Sequence, residues 1–189
     1  VVEGRLAVIT LDEVIARLPD GKAKHAVRSF NLMPHQNRRA ASVKELAISL
    51  GLAVERKALP RGLAGRLVPD AFSESGYLIE VNEKDNVRRQ RFTVLHEIGH
   101  FILHSTSSDP FAPVSNRARG VDEYGIIPFY PDDGREREAD ECASAILFDH
   151  GALAAAESLF NGDLEKISKH FGVSVEVVKI GLRQFGLKK

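Results

Sequence analysis

Two histidines and a glutamate near the middle of the chain have the spacing of a metal-binding group. Residues 96–100 read HEIGH, an instance of the HExxH pattern. On a helix, His96 and His100 lie one turn apart on the same face, so both imidazoles can bind one ion. Neutral imidazole suits zinc, although another divalent metal is also compatible with these donors. Glu97 stands beside the ion, where a carboxylate can take a proton from water and pass it to a leaving amine.

The alternative is a helix that carries two histidines with no metal, either solvated or packed. The surroundings of the motif argue against it, because burying two imidazoles without partners in an apolar environment is costly. The apolar residues around the motif are Phe92, Val94, Leu95, Ile98, Phe101, Ile102 and Leu103. The sequence therefore favours a metal site on this helix.

Two further positions test for a third histidine ligand. A metzincin has glycine three residues and histidine six residues after the second histidine of the motif. Here those positions are Leu103 and Thr106, which excludes that class. His104 extends the row of histidines, but it lies another turn along the helix. We favour a role for it behind the ligands, or at the helix end, over direct binding of the same ion.

A second pair of acidic residues could complete the site. Glu136 and Asp140 are also four residues apart on a predicted helix. In zinc peptidases with a glutamate ligand, the glutamate binds metal and the aspartate orients a ligating histidine through its free N–H. The alternative is a helix that begins with acidic residues, as many helices do. Glu138 and Glu141 face elsewhere, and we predict that they are solvated. Three protein ligands would leave a fourth position open to water, as in catalytic rather than structural zinc sites.

The predicted elements that carry these residues follow an α+β order. Asp85 or Asn86 caps a helix from Val87 to about His104, and a second helix runs from about Arg135 to Phe148. Residues 105–134 form a long irregular segment, and residues 28–39 form a connection. The other predicted elements are a helix at 10–18, a helix at 43–50, β-strands at 53–59, 65–68 and 77–82, and helices at 163–171 and 174–185.

Composition narrows the functional class. The 189 residues carry 26 Lys plus Arg against 26 Asp plus Glu, which argues against a protein that coats nucleic acid or binds membranes through basic residues. The apolar runs fall short of the ~18 residues of a membrane span. One cysteine, Cys142, allows no internal disulfide and predicts a reducing, cytoplasmic location.

Four segments together resemble the ImmA/IrrE family of metallopeptidases. They are the strand YLIEVN at 77–82, the run RQRFTVLHEIGHFILH at 89–104, EREAD at 136–140 and the C-terminal segment 164–187. The resemblance implies that His96, His100 and Glu136 bind zinc and that Glu97 is the general base. It further implies an intracellular endopeptidase that cleaves a protein partner, such as a DNA-binding repressor or an antitoxin, in mobile elements or stress responses.

The resemblance also implies an architecture. We expect a zincin-like core at residues 41–150 with a small antiparallel sheet and an active-site helix. An N-terminal helical or irregular segment at 1–40 precedes it, and a helix-turn-helix-like segment at 151–189 follows it. Tyr124, Tyr130 or His104 could stabilise the oxyanion. An extended substrate could pair with an exposed edge at residues 77–82, or that strand could be ordinary core sheet.

The C-terminal pair of helices raises a second functional class. A DNA-reading helix needs several Arg, Lys, Asn or Gln residues, whereas the last helix offers Lys179, Arg183 and Gln184 beside Glu176. We therefore favour packing or substrate docking over direct DNA binding. The alternative function is a non-catalytic regulator that binds a partner protein or DNA, although the glutamate of the HExxH motif would then serve no purpose.

Overall fold

The structure is a computed structural model that describes residues 8–37, 39–105, 115–118 and 134–187. Within these ranges the chain forms helices and two small sheets, and the α+β class is confirmed. The helices are α1 (Leu11–Arg17), α2 (Gly21–Leu32), α3 (Val43–Ser49), α4 (Val87–His104), α5 (Arg135–Phe148), α6 (Ala152–Leu159), α7 (Leu164–Phe171) and α8 (Val175–Gln184). The strands are β1 (His35–Gln36), β2 (Arg39–Ala40), β3 (Ala53–Lys57), β4 (Leu63–Pro69), β5 (Tyr77–Asn82) and β6 (Ser115–Ala118).

We had expected an antiparallel sheet, but the larger sheet is mixed. Its strand order is β3-β5-β4-β6, with β3 parallel to β5 and the other pairs antiparallel. The parallel pair arises because β5 lies between β3 and β4 and runs antiparallel to β4. Strand β3 is left at the edge, and it ends in three exposed charged residues, Glu55, Arg56 and Lys57. Such a strand suits an edge, while the more buried β4 and β5 take the centre. The prediction that β5 offers a free edge to substrate is therefore wrong, because β5 has a partner on each side.

One face of this sheet packs on helix α4. Side chains alternate along a strand, and Leu67 and Ile79, opposite each other on β4 and β5, both point into the core. Gly65 lies on β4 two residues before Leu67, and a methyl group on it would clash with the side chain of Thr93 on α4. Strand β4 and helix α4 therefore approach as closely as a glycine allows.

Helix α5 lies against α4 and forms the middle of the core. Its residues from Cys142 to Phe148 are all buried, and α1 and α2 pack on the same helix. Burial raises the pKa of the Cys142 thiol to about 12, so this cysteine is an inert packing residue. Where the helices cross, a methyl on Gly99 would lie 2.8 Å from the carbonyl oxygen of Ala139. The two helices that carry the candidate ligands are thus in direct backbone contact.

A buried arginine ties the C-terminal pair to this core. Arg91 of α4 donates from Nε to the carbonyl of Phe171 at 2.8 Å, and from Nη1 to the carbonyl of Ala41. Its guanidinium lies over the ring of Phe30, and burial lowers its pKa to about 10. Contacts therefore cross the predicted boundaries near residues 41 and 151, and the N-terminal, central and C-terminal segments share one hydrophobic cluster.

On the other sheet face, Glu80 is an almost fully buried carboxylate held by two cations. Nζ of Lys57 lies 2.5 Å and Nε of Arg66 lies 2.6 Å from its two oxygens. Burial alone would raise the pKa of Glu80, but these two hydrogen bonds lower it on balance.

This carboxylate should give the fold a measurable dependence on pH. Because its pKa is lower in the folded than in the unfolded chain, its contribution is complete above the unfolded value of about 4.3 and is lost as the pH falls through the folded value. Glu80→Gln should lower the free energy of unfolding by about 1–3 kcal/mol at pH 7. Urea titrations should show the stability of the wild type approaching that of the variant as the pH falls through the lowered pKa of Glu80. Equal stability at pH 7 would contradict the prediction.

Candidate metal centre

Helix α4 presents both histidines of the HExxH motif to the interior. The side chain of Asn86 caps the helix by accepting a hydrogen bond from the N–H of Arg89, and the helix then continues through His104 without a break. His96 and His100 are each 1% exposed, and Glu97 between them is fully buried. Nε2 of His96 and Nε2 of His100 lie 3.0 Å apart, as helical spacing predicted.

The first turn of α5 brings a carboxylate to the same point. Oε2 of Glu136 lies 3.2 Å from Nε2 of His96, and Oε1 lies 3.1 Å from Nε2 of His100. Burial by itself raises the pKa of Glu136, but hydrogen bonds from His100 and His96 outweigh it and hold that pKa well below its usual range. The carboxylate is therefore ionised, as a metal ligand must be.

These three groups could hold one metal ion. Within the described residues they form a cluster whose ligand atoms all lie within 4.8 Å of one another. Four ligands at about 2.0–2.1 Å around a tetrahedral ion are about 3.3 Å apart, so separations of 3.0–3.2 Å need little adjustment. Two imidazole nitrogens and one carboxylate are the donor set of catalytic zinc sites with three protein ligands.

Asp140, one turn along α5, contacts the back of His96. Nδ1 of His96 lies 2.8 Å from Oδ1 of Asp140. With the proton on Nδ1, the ring donates to the carboxylate and keeps its Nε2 lone pair toward the cluster. Asp140 therefore lies on the side of His96 that faces away from the cluster.

His104 lies behind His100 and does not join the cluster. Its Nδ1 is 3.1 Å from Nδ1 of His100, and its Nε2 is 2.9 Å from Oε2 of Glu138. Burial lowers the pKa of His104, although the hydrogen bond to Glu138 opposes that shift. His104 thus lies between His100 and the carboxylate of Glu138.

Glu138 and Glu141, which we expected to be solvated, are 48% and 20% exposed respectively, and each also has a partner. Glu138 accepts from His104, and Glu141 accepts from the N–H of Ile9 and pairs with Arg137. Residues two apart on a helix point in opposite directions, which is why the spacing from Glu136 suggested solvent. The end of α4 passes beside the first turn of α5, so that opposite side also meets a histidine. No spacing rule within one helix reveals such a contact.

Glu97 points toward strand β4. A methyl group on Gly65 of that strand would lie 3.6 Å from its Oε1, so the glycine leaves space beside the carboxylate. Sequence reasoning did not single out this glycine. The two tyrosines predicted as oxyanion stabilisers, Tyr124 and Tyr130, lie outside the described residues.

The family of the chain agrees with this geometry. A family model described as the IrrE N-terminal-like domain, Peptidase_M78, matches residues 63–183, more than half of the chain. The chain belongs to this family. The match covers both helices of the metal centre, and it confirms the family suggested by the motifs.

Membership in the Peptidase_M78 family gives the chain a metallopeptidase-type function and implies a metal, which the cluster of His96, His100 and Glu136 could hold. Among proteins of curated function, none is similar enough to this chain to count as a match. None of the described helices has the length and apolar character needed to cross a membrane.

Proposed function

We propose that this member of the Peptidase_M78 family is a zinc-dependent endopeptidase of the cytoplasm that cleaves one specific protein, a DNA-binding repressor or an antitoxin-type partner. The observation that carries the catalytic part is the convergence of three metal-binding side chains beside a buried glutamate on the same helix. The repressor as substrate rests on the family resemblance of the motifs. The cytoplasmic location rests on the lone, buried Cys142.

Each residue of the centre has a defined task in peptide hydrolysis. His96, His100 and Glu136 would hold the ion, and Asp140 keeps the Nδ1 proton of His96 in place. When bound, zinc supplies Lewis acidity, which makes water more acidic and polarises a carbonyl group. The carboxylate of Glu97 takes the proton of the attacking water and then passes it to the leaving amine nitrogen.

The burial of Glu97 suits this task. A fully buried carboxylate is shielded from bulk water, so the proton that it takes is not lost to solvent between the two transfers. A purely structural metal site needs no such group. The intact carboxylate therefore supports an enzyme rather than a non-catalytic regulator.

No observation favours the alternative of direct DNA binding. Helix α8 has a small positive charge. Arg183 on this helix lies 3.7 Å from Glu176, which compensates part of that charge. We propose that α7 and α8 pack against the core or dock the substrate protein.

Replacing the general base tests the enzymatic proposal. Glu97→Gln should still bind about one zinc per chain and should cleave about 100- to 10,000-fold more slowly than wild type, because only proton transfer is lost. The assay incubates the zinc-loaded protein with repressors and antitoxins encoded near its own gene, and mass spectrometry locates any cut. A wild type that binds no metal, or a variant that cleaves at the wild-type rate, would overturn the proposal.

A further inference from the structure

Behind the three ligands, side chains from α4 and α5 form a line that ends at the surface. It runs from His100 through His104 to Glu138, with contacts of 3.1 Å and 2.9 Å. The side chain of His104 is 10% exposed and that of Glu138 is 48% exposed, so the line connects a fully buried ring to solvent. On the other side of the centre, His96 reaches its carboxylate directly through Asp140.

The direction of every hydrogen bond in this line follows from one requirement. His100 can bind a metal through Nε2 only if its proton is on Nδ1. That N–H must then donate to Nδ1 of His104, which accepts only when the proton of His104 is on Nε2. Nε2–H in turn donates to the carboxylate of Glu138. A single arrangement of protons satisfies all three groups, and the carboxylate at the end favours it.

We propose that His104 and Glu138 act together as a positioning pair that fixes the ring orientation and the tautomer of His100. The pair does for His100 what Asp140 does for His96, with one extra imidazole between carboxylate and ligand. This inference rests on the proposed metal centre and adds Glu138 to it. Since His104 ends α4 and Glu138 lies in the first turn of α5, the pair also sets how the two ligand-bearing helices meet.

The pair can be tested by the affinity of the intact protein for zinc, measured by competition with a chromophoric chelator. His104→Ala should weaken zinc binding about 10- to 100-fold, the usual effect of removing a group that orients a ligating histidine. Glu138→Ala should weaken it by a smaller factor. Glu138→Gln should bind like wild type, because the carboxamide oxygen still accepts from His104. Glu141→Gln is the matched control on the same helix and should have no effect.

The double variant separates a joint role from two structural ones. If Glu138 acts only through His104, then His104→Ala with Glu138→Ala should bind zinc as His104→Ala alone does. Losses that multiply in the double variant would overturn the proposal, as would wild-type affinity in both single variants. A wild type that binds no zinc would instead overturn the metal centre itself.

Nitrogen-15 spectra of the imidazole rings give an independent readout that a purely structural role would not change. In the metal-free wild type, His104 should be a single tautomer with its proton on Nε2. In Glu138→Ala, His104 should become a mixture of tautomers while the fold is retained. An unchanged tautomer in that variant would contradict the role of Glu138.

Discussion

Glu136→Ala should weaken zinc binding about 100- to 1,000-fold. The free energy of zinc binding at sites with four protein ligands is about 10–16 kcal/mol, which is about 2.5–4 kcal/mol for each ligand. Glu136 supplies the only carboxylate of the cluster and has an oxygen near each histidine nitrogen. Without it, two neutral imidazoles would hold a doubly charged ion with no compensating charge. The measurement is the dissociation constant of zinc at pH 7, from chelator competition.

The comparison with Glu97→Gln makes this experiment decisive. Both changes remove one negative charge near the site, but it is Glu136 whose oxygens lie 3.1–3.2 Å from the two histidine nitrogens and that belongs to the cluster of ligand atoms. Glu136→Ala should lose zinc and Glu97→Gln should keep it, and Glu136→Gln should resemble the alanine variant because a carboxamide is a poor zinc ligand. If Glu136→Ala bound zinc as tightly as wild type, the third ligand would have to be sought elsewhere.

A single methyl group between the two helices should damage both the fold and the site. In Gly99→Ala the new carbon would lie 2.8 Å from the carbonyl oxygen and 3.1 Å from the Cα of Ala139. These are backbone atoms, which cannot rotate aside as a side chain could, so α5 must move as a unit. We expect the free energy of unfolding to fall by about 1–3 kcal/mol. Because Glu136 moves with α5, zinc affinity should fall as well, by roughly tenfold or more.

Gly21→Ala is the matched control for this substitution. Gly21 begins α2, and a methyl group there would have no neighbour within 4 Å. Urea denaturation should show that this change leaves stability the same or slightly higher, since alanine favours helix more than glycine. Wild-type stability and zinc affinity in Gly99→Ala would show that the α4–α5 contact is looser than the structure indicates.

The parts of the centre that lie within one helix could be predicted from the sequence. Helical spacing of four residues brought His96 toward His100, and the same spacing put Asp140 one turn from Glu136. The contact between His104 and Glu138 could not be predicted, because it depends on where the ends of two helices meet. Nor could the closeness of Gly99 to Ala139, since a glycine inside a helical pattern does not reveal what packs against it.

The two helices absent from the prediction, α2 and α6, have weak signals for different reasons. Helix α2 takes in residues 28–32, which we had assigned to a connection, and its amphipathic pattern is less regular than that of α7. Asp20, which caps the start of this helix by accepting a hydrogen bond from the N–H of Ala23, was the sequence signal that could have predicted it. Helix α6 begins after Gly151 in a left-handed conformation and has no side-chain cap. For strand β5 the sequence left an open edge and ordinary core sheet as alternatives, because the sequence of one strand does not say how many neighbours it has; the structure shows the second.

The separation of the ligands along the chain has a consequence for the order of events during folding. His96 and His100 share a helix and can meet an ion as soon as that helix forms. The third ligand, Glu136, is on the other helix, one turn before Asp140, which lies 44 residues after His96. Helix α5 supplies the third donor only after the chain between the two helices has brought them together and they have docked. An ion that binds only after the helices have docked stabilises the folded state more than the transition state for folding. Metal supply would then govern how long a folded molecule survives, and have little influence on how quickly it forms.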